Sequence, residues 1–311
     1  MSSVLPKIVV ILGPTASGKT GLGLELAKEC NGEVISADSR QVYTGMAIGT
    51  AQPRGIWKTV HGKRRYMVDG IPHYLVDIMP PDAEMSAAEF KDKALELIYD
   101  ICRRGKVPFV VGGTGLYLWS LIDNLTIPEV SPNVLLRSSL EGYTTDELTQ
   151  KLAQLDPEAP AQIDCHNPRR LIRAIEIVTE TKRPLAEQRR QGPALVEALQ
   201  IGISWSTKEL QVRIDARVDE QIQQGLEAET KELLCAGYQG NLPSMSGIGY
   251  PEMIQFIQGE MTLAEAVDKI KIATHQYAKR QMTWFKRDER IQWINGPDIK
   301  KAKTLVSAFL D

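Results

Sequence analysis

Gly13, Pro14, Thr15, Ala16, Ser17, Gly18, Lys19 and Thr20 form the segment whose chemistry is easiest to name. Glycines let backbone N–H groups close around a phosphate, and a helix starting behind them adds positive potential. Lys19 supplies a point charge, and the Thr20 hydroxyl is placed to ligate Mg²⁺. The apolar run Ile8–Leu12 precedes the loop and the apolar-periodic run Leu22–Ala27 follows it, which is the strand–loop–helix setting such a loop requires. The motif calls for a phosphorylated ligand without saying which. Two more reactive positions each follow a strand-like run. Asp38, beyond Glu33–Ser36, could hold Mg²⁺ or accept a proton from a nucleophile, or it could merely cap a turn. Thr114, beyond Pro108–Gly112, is placed to N-cap the helix that follows.

The elements around these positions explain why they should meet. Ser86-Ala-Ala-Glu89 is a capping box that starts a helix running to about Arg104. Strands alternating with helices predict a doubly wound parallel sheet, with ligands beyond the carboxyl ends of its strands. Gly13, Asp38 and Thr114 then share one edge. The chain from Asp38 to about Gly70 reads as a polar, glycine-containing connection. From about Asn124, β-rich runs disappear, prolines accumulate and a basic helix covers Pro168 to Glu180, after which Gln200–Trp205 reads as another core strand. A second capping box, Thr262–Glu265, opens a helix to about Arg287, and a short strand, Ile291–Ile294, and a helix from Asp298 close the chain. The expected organisation is an α/β core of P-loop NTPase-like type, residues 1–123 and 199–311, its parallel sheet flanked by helices. An all-helical subdomain, 124–198, is inserted into it.

Bulk properties narrow the setting. A length of 311 residues suits about two domains, and no run approaches the roughly 18 apolar residues of a membrane span. The first strand begins within a few residues of Met1, leaving no room for a signal peptide, so a cytoplasmic protein without a membrane partner is expected. Cys30, Cys102, Cys165 and Cys235 form no Cys-x-x-Cys pair and read as free thiols rather than a zinc site. The net charge of −2 argues against a nucleic-acid partner only on average. Arg54 to Arg65 holds five Lys/Arg and no acid; His166 to Arg190 and Lys269 to Arg290 hold seven each against three and two acids. Any one cluster reads as a solvated face, whereas three beside a phosphate loop point to a polyanionic partner.

Taken together, the loop, Ala37–Tyr43, Gly45–Pro53, Pro72–Asp77, Val111–Thr114, Asn167–Leu171, Arg213–Arg217 and Tyr277–Phe285 resemble the tRNA dimethylallyltransferase (tRNA isopentenyltransferase) family, bacterial type, in family order over nearly the whole chain. The resemblance implies transfer of a dimethylallyl group from dimethylallyl diphosphate to the exocyclic amine of the adenosine just 3′ of a tRNA anticodon. It makes Gly13 to Thr20 the diphosphate grip, Mg²⁺ the cofactor with Thr20 as its ligand, and Asp38, Thr114 and Arg217 the catalytic set. Contacts to the tRNA anticodon stem-loop fall, by family position, on Asp38, Ser39, Arg40 and Gln41, on Arg169, Arg170, Leu171, Ile172 and Arg173, and on Lys279, Arg280, Gln281 and Trp284. Ser246–Pro251 is a further stretch expected to touch RNA, and Trp284 and Phe285 could instead be core. Arg213 shares the Arg217 face if the segment is helical, unless either pairs with Asp215 or Asp219. Gln52, Ser246 and His275 depart from the family pattern, the eukaryotic C-terminal zinc finger is absent, and a monomer is expected. Prenylation of free AMP, ADP or ATP by the related adenylate enzymes is the nearest alternative. A P-loop small-molecule kinase and a non-catalytic RNA-binding ATPase are the others. Label transfer to tRNA, to nucleotide or to neither separates them.

Overall fold

The computed structural model describes residues 5–60, 62–128, 130, 133–188 and 190–311. The chain forms two compact units, one of Met1–Leu118 with Leu195–Asp311 and the other of Trp119–Ala194. In chain order the first stretch contains β1 (Lys7–Leu12), α1 (Lys19–Glu29), β2 (Gly32–Ser36), β3 (Ile56–Val60), β4 (Lys63–Val68), β5 (Ile71–Tyr74), α2 (Ala87–Arg103), β6 (Val107–Gly112) and α3 (Gly115–Ile122). The smaller unit contains α4 (Val134–Leu140), α5 (Thr145–Leu155), α6 (Pro168–Thr181) and α7 (Leu185–Gln188). Then follow β7 (Glu197–Ser204), α8 (Thr207–Gln224), α9 (Leu226–Cys235), α10 (Tyr250–Ile257), α11 (Leu263–Phe285), β8 (Gln292–Asn295) and α12 (Ile299–Leu310).

One eight-stranded sheet has the order β3-β4-β5-β2-β6-β1-β7-β8, and the six strands from β5 to β8 are parallel. Helices cover both faces of its centre, so β1 and β6 are continuous apolar runs rather than alternating ones. Val9, Ile11 and Phe109 pack beneath α1 and α12 through Leu26 and Val306, and a second apolar cluster joins α8 to α11 through Ile214, Val218, Ile270 and Ala278. The capping boxes at Ser86/Glu89 and Thr262/Glu265 form both reciprocal bonds, which fixes the first turns of α2 and α11. No helix among the described residues is long and apolar enough to cross a membrane, and none of the four cysteines is in a disulfide.

One expectation is corrected. Much of the polar connection before Gly70 is sheet: β3 and β4 form an antiparallel hairpin, and β4 pairs antiparallel with β5. β3 lies at the edge and is mostly exposed, so it lacks the apolar signature of a core strand. The turn into β5 has Asp69 and Gly70 at φ 48° and 83°, the geometry that an Asp-Gly pair favours in a tight hairpin. At the amino end of β2, the fully buried Glu33 accepts from Arg104, Lys106 and Tyr74. Burial alone would raise its carboxyl; these bonds outweigh it and hold the pKa at about 2.

The Trp119–Ala194 unit has its own core, with Leu140, Leu148, Leu152, Leu171 and Ile175 buried together. Glu176, 1% exposed, accepts from Arg137, Arg173 and the Asn133 backbone, tying α4 to α6. The second basic cluster belongs here, and within it Arg189 lies outside the described residues.

Candidate active site

The loop turns from β1 into α1 through Gly18, whose φ of 94° lies in the left-handed region that favours glycine. Thr15, Ala16, Gly18, Lys19 and Thr20 line a cavity of about 750 Å³, while Gly13, Pro14 and Ser17 lie buried behind it. Lys19 Nζ donates to the Pro14 carbonyl at 3.1 Å. Burial pulls its pKa down to about 8, with Asp38 opposing and Arg217 reinforcing the shift.

Asp38 reaches the same cavity because β2 and β6 end against each other. Ala37 N donates to Val111 O at 2.8 Å, and a Cβ on Gly112 would collide with the Ala37 backbone, so only glycine admits this approach. Thr114 N then donates to Ala37 O, and the Thr114 hydroxyl accepts from Ser39 N at 3.0 Å. The Thr114 carbonyl also accepts from Tyr117 N and Leu118 N, opening α3. Its side chain is thus committed to the Asp38–Ser39 turn rather than to capping. Asp38 Oδ1 accepts from Arg40 N at 2.9 Å, leaving the other carboxylate oxygen available on the cavity side.

Helices α8 and α11 close the site. Arg213 Nε donates to Ala16 O at 2.8 Å and its guanidinium lies over the Trp205 ring, whose Nε1 donates to Ser17 O. Arg217 Nη1 donates to Thr15 Oγ1 at 3.3 Å; burial lowers its pKa while Asp38 opposes. Neither arginine pairs with the nearby acids, since Asp215 bonds His275 and Asp219 bonds Lys271. Gln281 spans the gap: its Oε1 accepts from Thr15 N at 2.8 Å and its Nε2 donates to Gly113 O at 2.9 Å. Tyr277 also lines the cavity, its hydroxyl pKa raised first by burial and then by Asp38. On the rim, Glu229 accepts from Ile48 N, Gly49 N and the Tyr250 hydroxyl, which holds the 48–51 turn against the cavity.

The residues expected to touch RNA divide into free and committed ones. Arg169, Arg170, Lys279 and Arg280 are exposed, Arg170 with only a 3.5 Å pair to Asp164. Leu171 is fully buried core and Ile172 packs against it, so their side chains hold α6 in place and do not face a ligand. Arg173 is tied to Glu176 and Val130 O. Gln281 is buried with both ends of its amide bonded within the site, and Trp284 packs so closely that a Cβ on Gly115 would strike its indole. These five expectations are corrected to structural or positioning roles. Arg40 reaches the Pro243 carbonyl and Ser246 Oγ, and Gln41 bonds Ser36, Thr50 and Ala51. Ser39 lines the cavity beside them. The amide of Gln52, one of the departures, donates to Gln41 O and Tyr43 O and locks this turn. Trp205 is the brace that sequence reasoning missed, while Arg213, expected only to share the Arg217 face, braces the loop with it. Trp205 stands directly after β7, the same placement that singled out Asp38 and Thr114.

Thr20 and Asp38 line the same cavity as Lys19 and Arg217, and among the described residues no group of three or more His, Cys, Asp or Glu is arranged around a metal. That set fits a hard cation that shares its shell with phosphate oxygens and water.

A glycine loop at the carboxyl edge of a parallel sheet, sharing one cavity with the carboxylates of Asp38 and Glu220, is the architecture of a P-loop enzyme. The IPP transferase family model matches residues 41–288, and the isopentenyl transferase model matches residues 6–73. The tRNA dimethylallyltransferase of Acetivibrio thermocellus is 42% identical over 97% of this chain and 96% of its own, and that of Roseiflexus sp. 40% identical over 98% and 99%. The structure of the full-length tRNA isopentenylpyrophosphate transferase from Bacillus halodurans superposes with a TM-score of 0.71 at 37% identity, covering 98% of this chain and 97% of its own. That of a eukaryotic dimethylallyltransferase acting on tRNA gives 0.74 at 27% identity, covering 97% and 77%. The chain belongs to the IPP transferase family.

Proposed function

We propose that the protein transfers a dimethylallyl group from dimethylallyl diphosphate to the exocyclic amine of the adenosine 3′-adjacent to a tRNA anticodon, with release of diphosphate. The observation that carries this reading is the Asp38 carboxylate facing Lys19 and Arg217 across one cavity. In P-loop phosphoryl transfer the loop holds the group that moves. Here it holds the group that leaves, and Lys19 and Arg217 oppose the charge that grows on diphosphate as the allylic C–O bond breaks. Mg²⁺, carried in with the diphosphate and held by Thr20, would add to that charge neutralisation.

The adenine amine is a weak nucleophile because its lone pair is delocalised into the ring. Asp38 takes the proton that the amine sheds as its nitrogen bonds the allylic carbon. Arg40 N fixes one carboxylate oxygen, and Thr114 fixes the turn through Ser39 N. The base must leave its stack to reach this depth, which a splayed anticodon loop permits.

The test is incorporation of labelled dimethylallyl diphosphate into unmodified tRNA, AMP and ATP, with Asp38→Ala alongside. The expected result is label in tRNA alone, reduced roughly 10²–10⁴-fold in the variant while tRNA binding persists. Label entering AMP or ATP instead would replace this reading with the adenylate one.

A further inference from the structure

The first basic cluster has no part in the cavity, and the sheet topology gives it a place. Arg54, Lys58, Lys63 and Arg64 lie on or beside the β3–β4 hairpin, are exposed, and make no ion pair among the described residues. No acid occurs between Arg54 and Val68. Arg65 is the exception, turning inward to Glu33 at 3.6 Å. Because β4 runs against β5 and β3 against β4, the Val60–Lys63 pair at the end of the hairpin lies toward the carboxyl ends of β2 and β6. That is the edge holding Asp38 and the phosphate loop. β4 and β3 lie two and three strands from β2, so the tip stands about 10–14 Å to the side of Asp38.

We propose that this hairpin tip is a second RNA-contact surface, taking backbone phosphates of the tRNA a few nucleotides from the base at Asp38. The proposal rests on the tRNA reading of the cavity. Stacked nucleotides rise about 3 Å each, so the lateral distance corresponds to three or four of them. A simpler role for such cations is to blunt an edge strand against sheet-to-sheet association. That role needs only charge, whereas Arg64 also has a stacking partner. Its guanidinium lies 5.0 Å from the Trp57 ring centroid, and Trp57 Nε1 is held by Asp77 Oδ2 at 2.7 Å. A planar fork stacked in this way keeps its N–H edges for phosphate oxygens.

The experiment measures tRNA affinity against salt concentration for the full chain, for Lys63→Ser/Arg64→Ser, and for the charge-preserving Lys63→Arg/Arg64→Lys. Thermal melting confirms that each is folded. Losing two phosphate contacts should weaken binding about tenfold near 0.15 M salt and flatten the log–log salt slope by about 1.4. The charge-preserving variant should recover most of both. A neutralised variant with unchanged affinity and slope, particularly one that self-associates on sedimentation, overturns the proposal in favour of edge protection. A wild-type chain that neither binds tRNA nor prenylates it overturns the tRNA reading itself, and the proposal with it.

Discussion

Two regions of this molecule carry cations suited to phosphate, and they are built in opposite ways. Around the loop, Lys19 and Arg217 are half-buried and the more exposed Arg213 lies over the Trp205 ring, each bonded to loop atoms, and the loop backbone is held in turn by Trp205 and Gln281. On α6, Arg169 and Arg170 stand in solvent while Leu171 and Arg173, on the same turns, hold the helix down. The difference separates two tasks. Stabilising a leaving group needs charge that is already in place and poorly screened, because reorganisation at the moment of reaction would consume the benefit. Gripping a polynucleotide needs charge that can be given up to phosphate at little desolvation cost and released again, so exposure is an advantage.

The sharpest way to break this contrast is Arg217→Ala. It should lower prenyl transfer by roughly 10²–10³ while tRNA affinity stays within about twofold, as measured by label incorporation beside direct tRNA binding. Equal losses in both would mean that the buried arginine also serves the RNA. Lys19 gives the next effect, through pH. Its pKa of about 8 lies below the ordinary 10.5, so its charge disappears as pH rises through 8. kcat/KM for dimethylallyl diphosphate should therefore fall about tenfold per pH unit above that point. Between pH 8 and 10.5 the unfolded chain binds the extra proton, so Lys19 adds to the ligand-free protein's stability as pH rises across that window. Activity and this stability contribution moving in opposite directions is the signature; a flat kcat/KM from pH 7 to 10 would remove Lys19 from the grip. The smallest effect belongs to Arg169→Ala/Arg170→Ala. tRNA affinity should drop about tenfold near 0.15 M salt, with the salt slope flattened by about 1.4. An unchanged slope would return both arginines to the role of a solvated helix face.

Much of the core was readable because its signals are local. Ile8–Leu12 and Pro108–Gly112 are buried on both faces, so their strands announce themselves as unbroken apolar runs, and each capping box is a four-residue chemical fact. Asp38 and Thr114 were readable for a topological reason, since residues following parallel strands share an edge. The β3–β4 hairpin was not, because an exposed edge strand carries no apolar periodicity, although Asp69-Gly70 held the turn signal. Nor could the chain alone sort Arg169 from Arg173 or Gln281 from Arg280. Which residues of a basic helix face solvent and which are committed inside depends on partners distant in sequence, here Glu176 for Arg173 and Thr15 with Gly113 for Gln281.

Gln281 also sets a rule for mutational tolerance. Its side chain must accept from one backbone N–H and donate to one carbonyl at the same time. Glutamate offers no donor, lysine no acceptor, methionine neither, and asparagine is one methylene short. In a saturation library, position 281 would therefore stand out as a site that rejects even its nearest chemical relatives, one residue away from an exposed arginine at 280.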